Sequence, residues 1–318
     1  MRSRQLIITN GSSAAELIES VVEDADLLSW DDVLHDGPVP DLHLESLSRV
    51  RADFIASCGW GSSSDSVYRQ FVTRDETILK HAEYGEVVLF FEHDLYDQLQ
   101  LCQILDVISS TGIGETNLSA VLMSDYIAEQ EPGIIDQKLE SRTAVTESQL
   151  DTAVQFWRNF TSKDHRGLAT VDCSSFPHLP AARTRLLEEY PSVTNGLGRS
   201  RNSILQILAG EVLNPVALFS NHQALETARY LGDSSFWRYI EGLLMCSTPL
   251  VRSEPDFFRP GRRSGFKTLR LSLTDAGRGV AAGEIDNLEL NDIDEWIGGV
   301  HLTGPDAPRW DGFDLVTK

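Results

Sequence analysis

Two rhythms of apolar residues divide this chain. Toward its start, short solid apolar runs alternate with longer stretches apolar on one face only. Residues 5–9, 26–30, 86–91 and 117–124 read as strands, and 14–22, 44–57, 66–83 and 95–109 as helices. The run Glu86-Val87-Val88-Leu89-Phe90-Phe91 has no polar alternation, which marks a strand buried on both faces of a parallel sheet. Strand following helix following strand implies parallel pairing through right-handed crossovers. Residues 146–160 form one more helix, opened by Thr146 and Gln149 at capping-box spacing.

From residue 200 the pattern changes. Segments 200–209, 215–228 and 234–245 read as helices joined by short turns. Segments 249–253 and 268–273 read as a hairpin with a Gly/Arg-rich tip, and 274–281 as a closing helix. Three helices and a β-wing make a winged helix-turn-helix pattern. The expected organisation is an α/β domain with a mainly parallel sheet over 1–125, a helical linker over 126–195, and a winged-helix-like domain over 196–282. An acidic tail, 283–318, is expected to pack back on the body, because Trp296, Ile297, Val300, Leu302 and Trp310 are too apolar to stay in water.

Composition narrows the function classes. The 318 residues are 41% hydrophobic and 24% charged, which are globular values. No apolar run nears the roughly 20 residues that span a bilayer. The first strand follows the N-terminus without a signal-peptide core, so a cytoplasmic protein is expected, with no membrane partner. The four cysteines, Cys58, Cys102, Cys173 and Cys246, form no CxxC pair and read as buried free thiols. A net charge of -21 speaks against general nucleic-acid binding. The charge is uneven. Residues 196–282 hold 11 Arg/Lys and 7 Asp/Glu (+4), and 283–318 hold 2 and 9 (-7), which leaves -21 - 4 + 7 = -18 for 1–195.

Several segments carry a family likeness: Ile8-Thr9-Asn10-Gly11-Ser12, Trp30-Asp31-Asp32-Val33-Leu34-His35-Asp36-Gly37-Pro38, and Phe91-Glu92-His93-Asp94-Leu95-Tyr96-Asp97-Gln98-Leu99. With Asn195-Gly196-Leu197, Leu231-Gly232-Asp233 and the stretch from Trp296 to Leu302, they resemble a bacterial family known as a domain of unknown function, number eighteen thirty-five. The likeness covers most of the chain and implies no activity, so the residues themselves carry the functional argument.

Three polar clusters follow three of the predicted strands: Asn10-Gly11-Ser12-Ser13, Asp31-Asp32 with His35-Asp36, and Glu92-His93-Asp94. In a parallel sheet all three share the carboxyl edge, where open α/β sheets hold ligands. The first cluster opens a helix, so its amides and hydroxyls suit a phosphate or carboxylate; plain helix capping is the competing account. It matches neither GxGxxG nor a P-loop. His35 or His93 is the candidate proton-transfer group, with Glu92 or Asp94 orienting it, and Gln98 shares a helix face with Asp94. The competing account has Asp94 capping the following helix and His93 bonded within the sheet. No HxH or HExxH spacing occurs, so no metal site is expected, and no cofactor is named. The expected ligand is a small anion, a nucleotide or phosphorylated metabolite, and an enzymatic role is left open.

The alternative is a regulator or a protein-interaction adaptor. Arg259, Arg262, Arg263 and Lys267 would hold DNA phosphates from the wing. DNA ranks second, because the presumed recognition helix opens with Ser234-Ser235-Phe236-Trp237-Arg238-Tyr239, which suits packing better than base reading.

Overall fold

The computed structural model describes residues 4–255 and 267–317. Arg259, Arg262 and Arg263, the core of the expected basic wing tip, lie outside the described residues; Lys267 is exposed.

The chain opens with β1 (Gln5–Thr9), α1 (Ser12–Glu19) and β2 (Ala25–Ser29), followed by α2 (Leu44–Ser57) and α3 (Ser64–Leu79). Next come β3 (Glu86–Phe91), α4 (Leu95–Thr111), β4 (Asn117–Leu122), α5 (Pro132–Glu140) and the short β5 (Thr143–Ala144). The sheet order is β2-β1-β3-β4-β5. Its first four strands are parallel and β5 runs antiparallel at the edge. The order reverses at β1: the chain steps out to β2, then crosses back to β3 on the other side. The crevice between the carboxyl ends of β1 and β3 is therefore the topological switch point.

Residues 126–195, expected as a linker, instead complete this unit. They supply β5, and α5 buries Ile135 and Leu139 against the β1 and β3 face that holds Ile7, Val88 and Phe90. After them α6 (Glu147–Thr161), with the expected capping box at Thr146 and Gln149, covers α4, as does α7 (Leu179–Leu187). Thus α4 is buried nearly all round from Leu95 to Ile108, its polar residues Asp97, Gln98, Gln100 and Gln103 included.

The rest of the chain contributes α8 (Arg199–Gly210), α9 (Pro215–Gln223), α10 (Asp233–Met245) and the antiparallel pair β6 (Val251–Glu254) and β7 (Arg270–Leu273). It ends with α11 (Asp275–Ala281), α12 (Asn287–Leu290), the hairpin β8 (Asp294–Ile297) and β9 (Val300–Thr303), and the short pair β10 (Arg309–Trp310) and β11 (Leu315–Val316). The 283–317 segment carries buried apolar residues. Ile297, Val300, Leu302 and Ala307 are buried, and the amide of Val39 donates to the Gly298 carbonyl at 2.7 Å. One continuous core runs from Leu6 and Leu89 of the sheet through α6, α8 and α10 to Leu302.

Candidate functional site

At the switch point three buried carboxyls gather. Asp94 caps α4, accepting from the Asp97 amide at 3.2 Å. Asp97, three residues on, accepts the Glu92 amide at 2.6 Å and the Asn10 side-chain amide at 2.9 Å. Glu92 leaves β3 and accepts the amide of Ile127 at 2.7 Å. Gln98 is buried and donates to the Glu92 carbonyl at 2.7 Å. Oxygens of Glu92, Asp94 and Asp97 all lie within 4.8 Å of one another. Burial, with Glu92 beside it, pushes the Asp94 carboxyl up to about 7. Burial, with Asp94 and Glu92 adjacent, holds Asp97 well above the usual carboxylate range, and burial raises Glu92 as well. Three crowded carboxyls in a dry site must share protons or a cation, and their hard oxygens suit a divalent ion. Spacing rules for His-based metal sites do not reach such a set. Its missing member, Asp97, was signalled only by the Asp-x-x-Asp spacing across the first turn of α4.

The turn after β1 behaves differently from the sequence expectation. Gly11 is the N-cap of α1 in extended conformation and offers no side-chain cap. The Asp31 carboxylate takes that place, accepting from the Ser12 amide at 3.2 Å, the Ser12 hydroxyl and the Ser29 hydroxyl at 2.7 Å. An anion therefore already sits at this helix N-terminus, and it belongs to the chain. Ser12 and Ser13 are exposed beside it.

His35 is carried by a loop, residues 31–40, that Arg51 holds from inside. The Arg51 guanidinium is fully buried. It pairs with Asp32 through two hydrogen bonds of 3.0 and 2.9 Å and donates to the carbonyls of Val33, Asp36 and Pro38 at 2.7, 2.7 and 3.1 Å. Gln100 of α4 binds the Asp32 carbonyl at 3.0 Å. Gly37 takes a positive φ of 74°, and the Phe54 ring lies where a Cβ would stand. So fixed, the His35 ring is buried edge-on to Tyr96 at 5.9 Å and Tyr230 at 4.9 Å. Its Nε2 is 4.0 Å from Asp36, too far for a hydrogen bond. Neither ring nitrogen has a partner among the described residues. Burial lowers its pKa, so the ring is neutral. Tyr96 joins the two halves of the site, since its hydroxyl donates to the Asn10 carbonyl at 3.1 Å.

His93 stands elsewhere. It is half-buried against Tyr126 at 5.1 Å and His178 at 5.9 Å, and shares no ring neighbour with His35. The structure thus groups Asn10, Glu92, Asp94 and Gln98 at the crevice, with His35 reached through Tyr96. His93 lies to one side, and Asp31 is spent on α1.

The C-terminal helices close the seam from above. The Tyr239 hydroxyl donates to Asp36 at 3.0 Å, and Arg238 approaches the same carboxylate at 3.6 Å. Tyr230 donates to Glu189 at 3.1 Å. Arg229 lies over the Tyr126 ring at 4.2 Å and binds Glu129 at 2.6 Å. Tyr230 and Tyr239 are some two hundred positions from His35 and carry no motif, so nothing in the sequence marked them.

No protein-family model and no curated protein matches the chain. No helix among the described residues is long and apolar enough to cross a membrane.

Proposed function

We propose that this chain binds a small anionic ligand, a nucleotide or phosphorylated metabolite, where the carboxyl edge of the sheet meets the C-terminal helices. His35 is the group that hydrogen-bonds it and exchanges a proton with it. The observation that carries this reading is the His35 ring, buried and rigidly held, with both nitrogens unpartnered. A buried polar group is normally bonded, and one that is not calls for a ligand. The carboxyl trio is compatible with an anion because burial disfavours the charged form of all three carboxyls and pushes Asp94 up to about 7. A divalent cation on Glu92, Asp94 and Asp97 would serve the same end by bridging to a phosphate oxygen.

The test is a thermal-shift series with nucleoside mono-, di- and triphosphates and sugar phosphates, each with Mg²⁺, Mn²⁺ or chelator. A true ligand raises the midpoint in proportion to the logarithm of its concentration. His35→Gln should abolish that rise while leaving the ligand-free midpoint within a few degrees. If no compound shifts the midpoint, or the shift survives in His35→Gln, the reading fails.

Regulator and adaptor readings have weaker support. The order α8, α9, α10, β6, β7, with a bridge between Leu213 and Leu271, is compatible with a winged helix. Yet α10, the helix that would read bases, places Tyr239 on Asp36 and Arg238 over the Phe54 ring at 5.5 Å. That favours a packing role over DNA contact. The family resemblance remains our reading of the quoted segments and adds no activity.

A further inference from the structure

A cleft opens among the C-terminal helices, joined to the site above through the Tyr230–Glu189 hydrogen bond. It holds about 90 Å³ between the end of α7, the 196–198 turn, α8, α10 and the 287–295 segment. At its wall stands Glu189. One oxygen of this carboxylate, Oε1, accepts from Arg185 at 2.6 Å, the Ser200 amide at 3.2 Å, the Ser200 hydroxyl at 2.5 Å and Tyr230 at 3.1 Å. The other, Oε2, is buried and has no partner among the described residues. The side chain as a whole is 9% exposed. Burial alone would raise its pKa, but Arg185 and Ser200 outweigh that and hold it at about 2. The carboxylate is therefore ionised, with one oxygen unspent.

The cleft around it is acidic. Its charged lining is Glu189, Asp292 and Glu295 against Arg201, a balance of -3 + 1 = -2. Arg201 is itself committed, bound to Glu295 at 2.7 Å and lying over the Tyr239 ring at 4.4 Å. Leu197, Leu243, Leu250 and Ile293 supply apolar wall. Gly242 sits inside α10, where glycine disfavours helix relative to alanine, and a Cβ there would meet no atom within 4 Å.

We propose that this cleft is a binding site for a small organic cation, a primary alkylamine or alkylguanidine. Its N–H donors pair with Glu189 Oε2 and its methylenes lie on the leucine wall. An anion would be repelled, and an apolar guest would leave a buried carboxylate oxygen unsatisfied. The inference does not rest on the reading of the His35 site.

Calorimetric titration of the full chain tests it, with butylamine and agmatine as probes and glutarate as the charge-reversed control. Saturable binding of at least one amine is expected by about 10 mM, tenfold above a weak millimolar Kd, with none for glutarate. Glu189→Gln keeps an acceptor toward Arg185 and Ser200 but removes the charge, and should weaken binding about tenfold or more. Because that variant disturbs a buried ion pair, Gly242→Leu provides a second arm. It fills the cleft from the α10 wall without touching Glu189 and should abolish binding in a folded chain. Absence of amine binding, equal binding of glutarate, or unchanged affinity in Gly242→Leu would each overturn the proposal.

Discussion

Asp94 serves two ends that pull against each other. As N-cap it secures α4, and as a neighbour of Glu92 and Asp97 it crowds negative charge into a dry site. Its carboxyl titrates at about 7 when folded, against 3.8 ordinarily. Between those values the folded chain holds a proton that the unfolded chain has released, so this group's contribution to stability falls as pH rises from about 4 to about 7. Asn caps as well as Asp. Asp94→Asn should therefore melt higher than the parent at pH 8, with the gap closing toward pH 4. A pH-independent difference in melting temperature would show that the proton is not held there. His35 poses the complementary case: it is neutral, fixed and unbonded, a state that only the loop's attachment to Arg51 makes durable.

Among elements, the β8–β9 hairpin is set by two glycines. Gly298 has φ +54°, and a Cβ there would lie 2.3 Å from the Phe160 carbonyl oxygen; at Gly299 it would lie 1.9 Å from that of Thr161. The obstacles are backbone atoms at the end of α6, which cannot swing aside. Gly299→Ala should therefore cost about 2–3 kcal/mol, read from chemical denaturation. A loss below about 0.5 kcal/mol would mean that the hairpin lifts freely from α6. The α4 segment reads as amphipathic, whereas its polar positions Gln98, Gln100 and Gln103 are buried and bind the Glu92 carbonyl, the Asp32 carbonyl and, at 2.8 Å, the Trp30 indole.

For the whole molecule, the shared core and the Tyr239–Asp36 bond predict that the α/β part and the C-terminal helices unfold together. Circular dichroism and tryptophan fluorescence should give coincident denaturation curves. Tyr239→Phe leaves the Asp36 carboxylate short of a donor and should shift both curves equally, by about 1–3 kcal/mol. Separated transitions would contradict a common core.

Local pattern was enough for most of the fold. Strands 5–9 and 86–91, helix 44–57 and the Thr146 capping box emerged where the hydrophobic period and cap chemistry placed them, because those signals act within a few residues. Of the candidate site, the same local signals marked Asn10, His35, Glu92 and Asp94 as strand-end residues. They missed α5, α7 and the edge strand β5, whose apolar positions are too few or too irregular to show a period. Only tertiary structure decided that Asp31 would occupy the α1 N-terminus, that His35 and His93 would face different neighbours, and that Tyr230 and Tyr239 would close the seam. Those outcomes depend on which surfaces meet across some two hundred residues, and neighbouring side chains along the chain carry no record of that.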